Sequence, residues 1–264
     1  PEPVLIHGWP DKEPSLITML SRTYMSALVI SWNRTGVFWP DTYRMPARYA
    51  GLRGRTNRMS DDREIWEAAY RNQGRIWAGN ARAPSLFLGS RVLELGCGNG
   101  QAFSGLVSAG YDVLALDFSR EAVRIAIVAG GRCAAGRGIL ADARRIPLAS
   151  ASIDAVVAWH IIGHMLESDR RIIAKEIARI LRPEGTVFFR EFSREDFRFF
   201  DRPGSPEPGT VLRKNGIRTH YFTEQEVGNL FSCLRCTSLA TEKWSLRVRG
   251  KDYSRAEISA IFNR

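Results

Sequence analysis

Cysteine and histidine are scarce in this 264-residue chain, with four of each. Cys97, Cys133, Cys233 and Cys236 are too few and too unevenly spaced for a disulfide framework. The one C-x-x-C, Cys233–Cys236, lacks a second pair, so a zinc site has little support and no metal is expected. Its setting at the end of an expected helix predicts packed, reduced thiols. No apolar run approaches the ~18 residues of a membrane span, and no charged-then-apolar amino terminus marks a secretion signal. A cytoplasmic protein with no membrane partner is the default expectation. Acidic residues are also short, 28 against 38 Lys and Arg, for a net charge of +10. Such a surplus suits a polyanionic partner, because neutralising phosphates releases counterions. It is equally common on solvated surfaces that bind no nucleic acid.

What is present divides near residue 58. Residues 1–58 carry scattered prolines, Trp9, Trp32 and Trp39, and no sustained period of 3.6 or 2. The chain opens on Pro1, while Met59 begins a stretch that reads as a natural start. Residues 1–58 are therefore expected to be either an accessory substrate-binding arm or a translated upstream sequence without its own fold. Residues 59–264 are regular. Helical patterns at 61–73, 101–110, 119–128 and 169–181 alternate with strand patterns VLEL (92–95), DVLAL (112–116), GIL (138–140), IDAVVAW (153–159) and TVFFREF (186–192). This alternation argues a doubly wound parallel α/β sheet. After an irregular insertion at about 192–222, Thr223 and Glu226 form a capping box. Two more strands, near 240–248 and 256–262, would pair as an antiparallel hairpin on the sheet edge.

The turn after the first of these strands reads Glu94-Leu95-Gly96-Cys97-Gly98-Asn99-Gly100. A dinucleotide fingerprint is G-x-G-x-x-G, with a pyrophosphate on the helix amino terminus. Here the spacing is one residue shorter, and Glu94 points to where the phosphate would lie. Two unit charges ~4 Å apart cost about 4 kcal/mol at an effective dielectric of 20, so an anion is repelled and a cation favoured. A nucleoside with a cationic amino-acid tail, S-adenosylmethionine, suits the site. Asp117, ending the second strand, is placed to accept both ribose hydroxyls. Asp142, closing the third, would accept the adenine amino group beside the Ala143 amide, with Phe118 packed on the base. Trp159 and His160 end the fourth strand near the transferable methyl. His160 would serve as a general base or as a hydrogen-bonding wall residue.

With ELGCGNG, LDFS, ADA, DAVVAW and LRPEGTVFF in order, residues 60–264 resemble a class I SAM-dependent methyltransferase. The resemblance implies a Rossmann-like seven-strand sheet of order 3-2-1-4-5-7-6, the last pair antiparallel, with helices on both faces. A narrower resemblance, to the tRNA 3-methylcytidine methyltransferases, rests on three matches. Arg190, Glu191 and Phe192 match an arginine-acid-aromatic step. Gly216, Arg218, Tyr221, Phe222 and Thr223 match a segment before the next helix. Arg249, Gly250 and Lys251 match a basic step in the closing hairpin. The amino-terminal helix with Trp66, Tyr70 and Trp77 also looks related. Glu191 replaces the family's more usual Asp, and WHIIGH departs from its apolar version. The resemblance implies an RNA acceptor, tRNA above all, with Trp77, Arg190, Arg218, Tyr221, Arg249 and Lys251 touching it and Glu191 stabilising charge at cytosine N3. Arginines and phenylalanines interleaved in the insertion fit single-stranded RNA or a solvated lid. A small-molecule or protein methyltransferase, or a SAM-binding adaptor serving a partner protein, are the alternatives.

Overall fold

The computed structural model describes residues 28–30, 53–74, 76, 82–131, 136–200 and 205–264, with the side chains of the first helix from Asp62 onward. In chain order the elements are β1 (Leu28–Ile30), α1 (Arg53–Gln73), β2 (Arg91–Leu95), α2 (Gln101–Ser108), β3 (Asp112–Asp117), α3 (Arg120–Ala129), β4 (Gly136–Leu140) and β5 (Ile153–Trp159). A 3-10 turn (Ile162–His164), α4 (Glu167–Ile180), β6 (Leu181–Phe192), β7 (Thr210–Leu212), β8 (Arg218–His220), α5 (Glu224–Leu230), β9 (Arg235–Val248) and β10 (Lys251–Asn263) follow. The main sheet runs β1-β4-β3-β2-β5-β6-β10-β9. Its strands β4-β3-β2-β5-β6 are parallel, and β10 pairs antiparallel with both β6 and β9. Seven strands thus follow the order expected from the sequence.

Strand alternation sorts the core into two layers. Leu93, Leu95, Val156, Ala158, Val187 and Phe189 pack against Ile173, Ile177 and Ile180 of α4 and Val227 of α5. Val92, Val113, Ala115, Ala155 and Val157 pack against Phe103, Leu106 and Val107 of α2 and Val123 of α3. Ser119 caps α3 by accepting from the Ala122 amide, and the Thr223–Glu226 capping box forms in full. The same period of two carries Glu94 and Asp117 onto the α2/α3 face and Glu191 onto the α4/α5 face. All three stand at the carboxyl edge, where ligands bind in open α/β sheets.

Several boundaries differ from the expectation. Helix α1 begins at Arg53 and runs through Met59. An eighth strand, β1, pairs antiparallel with β4 through Leu28↔Leu140 to Ile30↔Gly138. Apart from it and the start of α1, residues 1–58 lie outside the described residues. The insertion contains a two-stranded hairpin, with Thr210 opposite His220. Cys233 and Cys236 are exposed, not packed. Helix α5 ends at Leu230, which puts them on a turn and on the outer edge strand β9. Among the described residues no helix is long and apolar enough to cross a membrane.

Candidate functional site

The glycine turn is built for close approach. Gly96, Gly98 and Gly100 all have positive φ, at 71°, 49° and 74°. At Gly100, the N-cap of α2, an added Cβ would lie 2.7 Å from the Ala126 backbone of α3. A side chain there would push the two helices apart. Cys97 and Asn99 are buried within the turn.

Glu94 is buried beneath the amino end of α2 and keeps one oxygen, Oε2, without a hydrogen-bond partner. Burial pushes its carboxyl up to about 8; the Phe103 and Ala102 amides pull it down, and the nearby Asp117 adds to the rise. Burial also raises Asp117 to about 6, against amides that favour its charged form. Its Oδ2 accepts from the Gly98 amide at 3.1 Å and its Oδ1 from the Ser119 amide at 2.9 Å. A carboxylate oxygen accepts more than one hydrogen bond, so capacity for ribose hydroxyls remains. An orphaned buried acceptor beside a turn with three glycines fits a cationic nucleoside tail and not a pyrophosphate.

Further along the edge, Ala143 is buried and Phe118 packs beside Trp66, Tyr70 and Ala122. Asp142 is engaged by Arg144, whose Nη2 donates to Oδ2 at 2.7 Å and whose Nη1 also reaches Asp169. The carboxylate expected to meet adenine is thus held in a salt bridge that the sequence did not reveal.

On the opposite sheet face Glu191 is sealed, with 1% of its surface exposed. Burial raises its carboxyl to about 8 against the opposing Gly163 amide, with Glu257 adding to the rise. Its Oε1 accepts from the Gly163 amide at 2.8 Å. A Cβ on Gly163 would lie 2.8 Å from Glu191 Oε2, so the close approach requires glycine. His160 has φ 55°, a left-handed conformation that costs a non-glycine residue about 1–3 kcal/mol. Its ring packs on Phe192 at 4.5 Å, with Nδ1 3.8 Å from Glu191 Oε2 and Nε2 3.5 Å from Glu257 Oε1. Burial, then His164 and the arginines 190, 198 and 255, hold the imidazole well below its ordinary value. It is neutral at pH 7, so it would be a weaker base than an unperturbed histidine. Arg190 lies over the Trp159 ring at 4.6 Å.

Helix α1 closes one side. The Tyr70 hydroxyl lies within 2.8 Å of where a Gly98 Cβ would be, and Trp66 meets the His164 ring edge-on at 4.8 Å. His164 lies on the 3-10 turn, and its Nδ1 is 2.6 Å from the Arg218 carbonyl. Glu67 accepts from the Ser119 hydroxyl at 2.7 Å.

The expected acceptor-contacting residues fare unequally. Arg218 turns inward to pair with Asp62 of α1, so it joins the insertion to that helix and does not face a partner. Tyr221 is buried, its ring packed between Phe192 and Phe199, and supports the pocket from behind. Arg249 and Lys251 sit at the exposed hairpin tip, Lys251 six strand positions and roughly 20 Å from Glu257. Trp77 lies outside the described residues. Glu257, Gly163 and Glu67 were missed. Glu257 sits on the polar face of AEISAIF, and nothing local announces its long-range partner.

Residues 93–189 match the family described as "Methyltransferase domain". An uncharacterized methyltransferase of Mycobacterium bovis is 31% identical over 183 residues, 60% of this chain and 72% of that protein. The tRNA N(3)-cytidine methyltransferase METTL2 of Gallus gallus is 26% identical over 54% of this chain; the match spans 41% of that protein's length. Among solved structures, a SAM-dependent methyltransferase of Methanosarcina mazei superposes with a TM-score of 0.57 at 22% identity. It covers 68% of this chain and 94% of its own.

Proposed function

Since the chain belongs to the S-adenosylmethionine-dependent methyltransferases, we propose that its acceptor is a base of tRNA, methylated at a ring nitrogen such as cytosine N3. Bound S-adenosylmethionine supplies an electrophilic methyl on a cationic sulfur. Glu94 and the Gly96–Gly100 turn would hold its amino-acid end, Asp117 the ribose, and Asp142, Ala143 and Phe118 the base. The observation that carries the acceptor reading is Glu191, a sealed carboxyl fixed by the Gly163 amide. Cytosine N3 has its lone pair free at neutral pH and needs no strong base. Methylation leaves a cationic ring, and an ionised Glu191 offsets that charge as it develops. Orientation of nitrogen, methyl and sulfur in line can supply ~7–11 kcal/mol. The base must be unpaired or flipped out to be reached. Arg190 stacked on Trp159 supports a planar aromatic acceptor, and a tRNA N(3)-cytidine methyltransferase, METTL2 of Gallus gallus, is among the relatives.

A small-molecule acceptor is the second reading, and one observation favours it. The arginines of the insertion are largely internal: Arg194 pairs with Glu226, Arg198 with Asp196 and Arg218 with Asp62. Such an insertion serves as a lid as readily as an RNA surface. Incubation with tritiated S-adenosylmethionine and either unfractionated tRNA or a small-molecule extract separates the two. Label in tRNA recovered as 3-methylcytidine is expected. Label confined to the extract would overturn the tRNA reading and leave methyl transfer intact.

A further inference from the structure

The proton on Glu191 has no direct way out. Its side chain is 2% exposed, and the Gly163 amide occupies Oε1. Backbone amides of Gly163 and Ile162 also meet this carboxyl, and the titratable side chain facing Oε2 is His160, whose Nδ1 is itself buried and without a hydrogen-bond partner. The far side of the same ring faces Glu257 on β10, and the His160 side chain is 31% exposed. His160 holds this bridging place through a strained backbone, the kind of strain that gathers at working sites. Which ring nitrogen carries hydrogen is set by the bond the other makes. Burial raises the Glu257 carboxyl, but the arginines 190, 255 and 198 beside it favour its charged form; that carboxylate can only accept at Nε2, which leaves Nδ1 with its lone pair toward Glu191.

We infer that Glu257 is a positioning residue that fixes His160 as its Nε2–H tautomer, and that the imidazole so held conducts the Glu191 proton out of the sealed site and back. This rests on the reading that Glu191 answers positive charge on the acceptor. As that charge develops, the Glu191 Oε2–H bond breaks and Nδ1–H forms. The Nε2 proton passes to water at the exposed edge of the ring, so the imidazole stays neutral and Glu191 becomes a carboxylate. Departure of the charged product reverses both transfers. The 3.8 Å gap to Nδ1 closes to hydrogen-bond length with a shift of about 1 Å. The charged neighbours favour a neutral carrier. Arg190 and Arg198 flank the ring from β6 and the insertion, Arg255 from β10, and His164 from the 3-10 turn, all opposing imidazolium. Arg170 of α4 faces Glu191, and Asp196 faces Glu257.

The test uses the full chain without any acceptor, so its failure is separable from failure of the tRNA assay. Nitrogen-15 histidine spectra should show His160 as Nε2–H. That state should persist in Glu257→Gln, whose carbonyl still accepts, and be lost in Glu257→Ala. After rapid mixing into D2O, the infrared band assigned to Glu191 by Glu191→Gln should exchange quickly in the parent. In His160→Phe exchange should slow roughly a hundredfold, within the range a positioned acid–base group contributes. His160→Gln replaces it should the Phe variant fail to fold. An Nδ1–H tautomer in the parent, an unchanged tautomer in Glu257→Ala, or unchanged exchange without the imidazole would each overturn the inference.

Discussion

Replacing Glu94 with Gln should weaken S-adenosylmethionine binding by an amount that depends on pH in a calculable way. The free protein holds this carboxyl at about 8, so at pH 7 only about one-tenth is ionised and charging it costs about 1.4 kcal/mol. A cationic group ~4 Å away returns about 4 kcal/mol at an effective dielectric of 20. The surplus of about 2.6 kcal/mol is close to a hundredfold in affinity at pH 7, rising toward a thousandfold above pH 8, where ionisation is free. In the parent protein affinity should climb about eightfold from pH 6.5 to 7.5 and level only above pH 8 to 9. Each binding event at pH 7 should release almost one proton. Calorimetry in buffers of differing ionisation enthalpy reads both quantities. A pH-independent affinity in the parent, or Glu94→Gln binding as tightly as the parent at pH 8, would refute the cation-accepting groove. Asp117, raised to about 6, adds a second decline only below that pH.

Three further outcomes follow from the same geometry. Asp117→Ala removes the acceptor of the Gly98 and Ser119 amides as well as the ribose ligand, so binding should vanish in the calorimeter while circular dichroism retains the helical signal; unchanged affinity would overturn the ribose assignment. Gly163→Ala drives a methyl to 2.8 Å from Glu191 Oε2 and 3.1 Å from the His220 carbonyl, which should cost roughly 1–3 kcal/mol in chemical denaturation and reduce methyl transfer more than cofactor binding. The cofactor-free protein should lose stability between pH 6.5 and 8. Glu94 and Glu191 bind protons in the folded state to about 8, the unfolded carboxyls release theirs near 4.5, and the stabilisation lost is about 1.4 kcal/mol per pH unit per group. The buried histidines His160, His164 and His220, lowered in the folded state, act the other way and only below about 6.5. Melting temperatures that rise from pH 6.5 to 8, or that keep their full slope in Glu191→Gln, would contradict the assignment.

The arrangement proposed for the cofactor could be located in the sequence because its residues are local. Strand, glycine turn and helix lie within Arg91–Ser108, and Asp117 ends the adjacent strand, so the period of two and the glycine spacing place Glu94 and Asp117 without tertiary information. The alternation of strands and helices was legible for the same reason, the strand order came from the family resemblance, and the antiparallel β1 carries three residues and no pattern of its own. The acceptor half was not. His160, Glu191 and Glu257 come from β5, β6 and β10, and their meeting depends on the register that sets Glu257 opposite Phe192. Arg218 read as an exposed guanidinium because Asp62, its partner, is 156 residues away.

That asymmetry bears on how the acceptor is chosen. Glu94 and Glu191 leave the sheet on opposite faces of one edge, and on the proposed reading each holds a proton until a positive charge arrives. The cofactor would then meet Glu94, whose neighbourhood is fixed by the parallel core. The acceptor would meet Glu191, whose neighbourhood is assembled from α1, the insertion and the closing hairpin through Trp66–His164, Arg218–Asp62 and His160–Glu257. A change at Asp62, in the insertion or in the closing hairpin can reshape these surroundings without touching a residue assigned to the cofactor, whereas Trp66 packs beside Phe118. Substitutions at Asp62 should therefore shift acceptor preference at constant S-adenosylmethionine affinity. Competition between unfractionated tRNA and a small-molecule extract for tritiated methyl, run beside cofactor calorimetry, checks this. A parallel loss of cofactor affinity would mean that α1 belongs to the cofactor half instead.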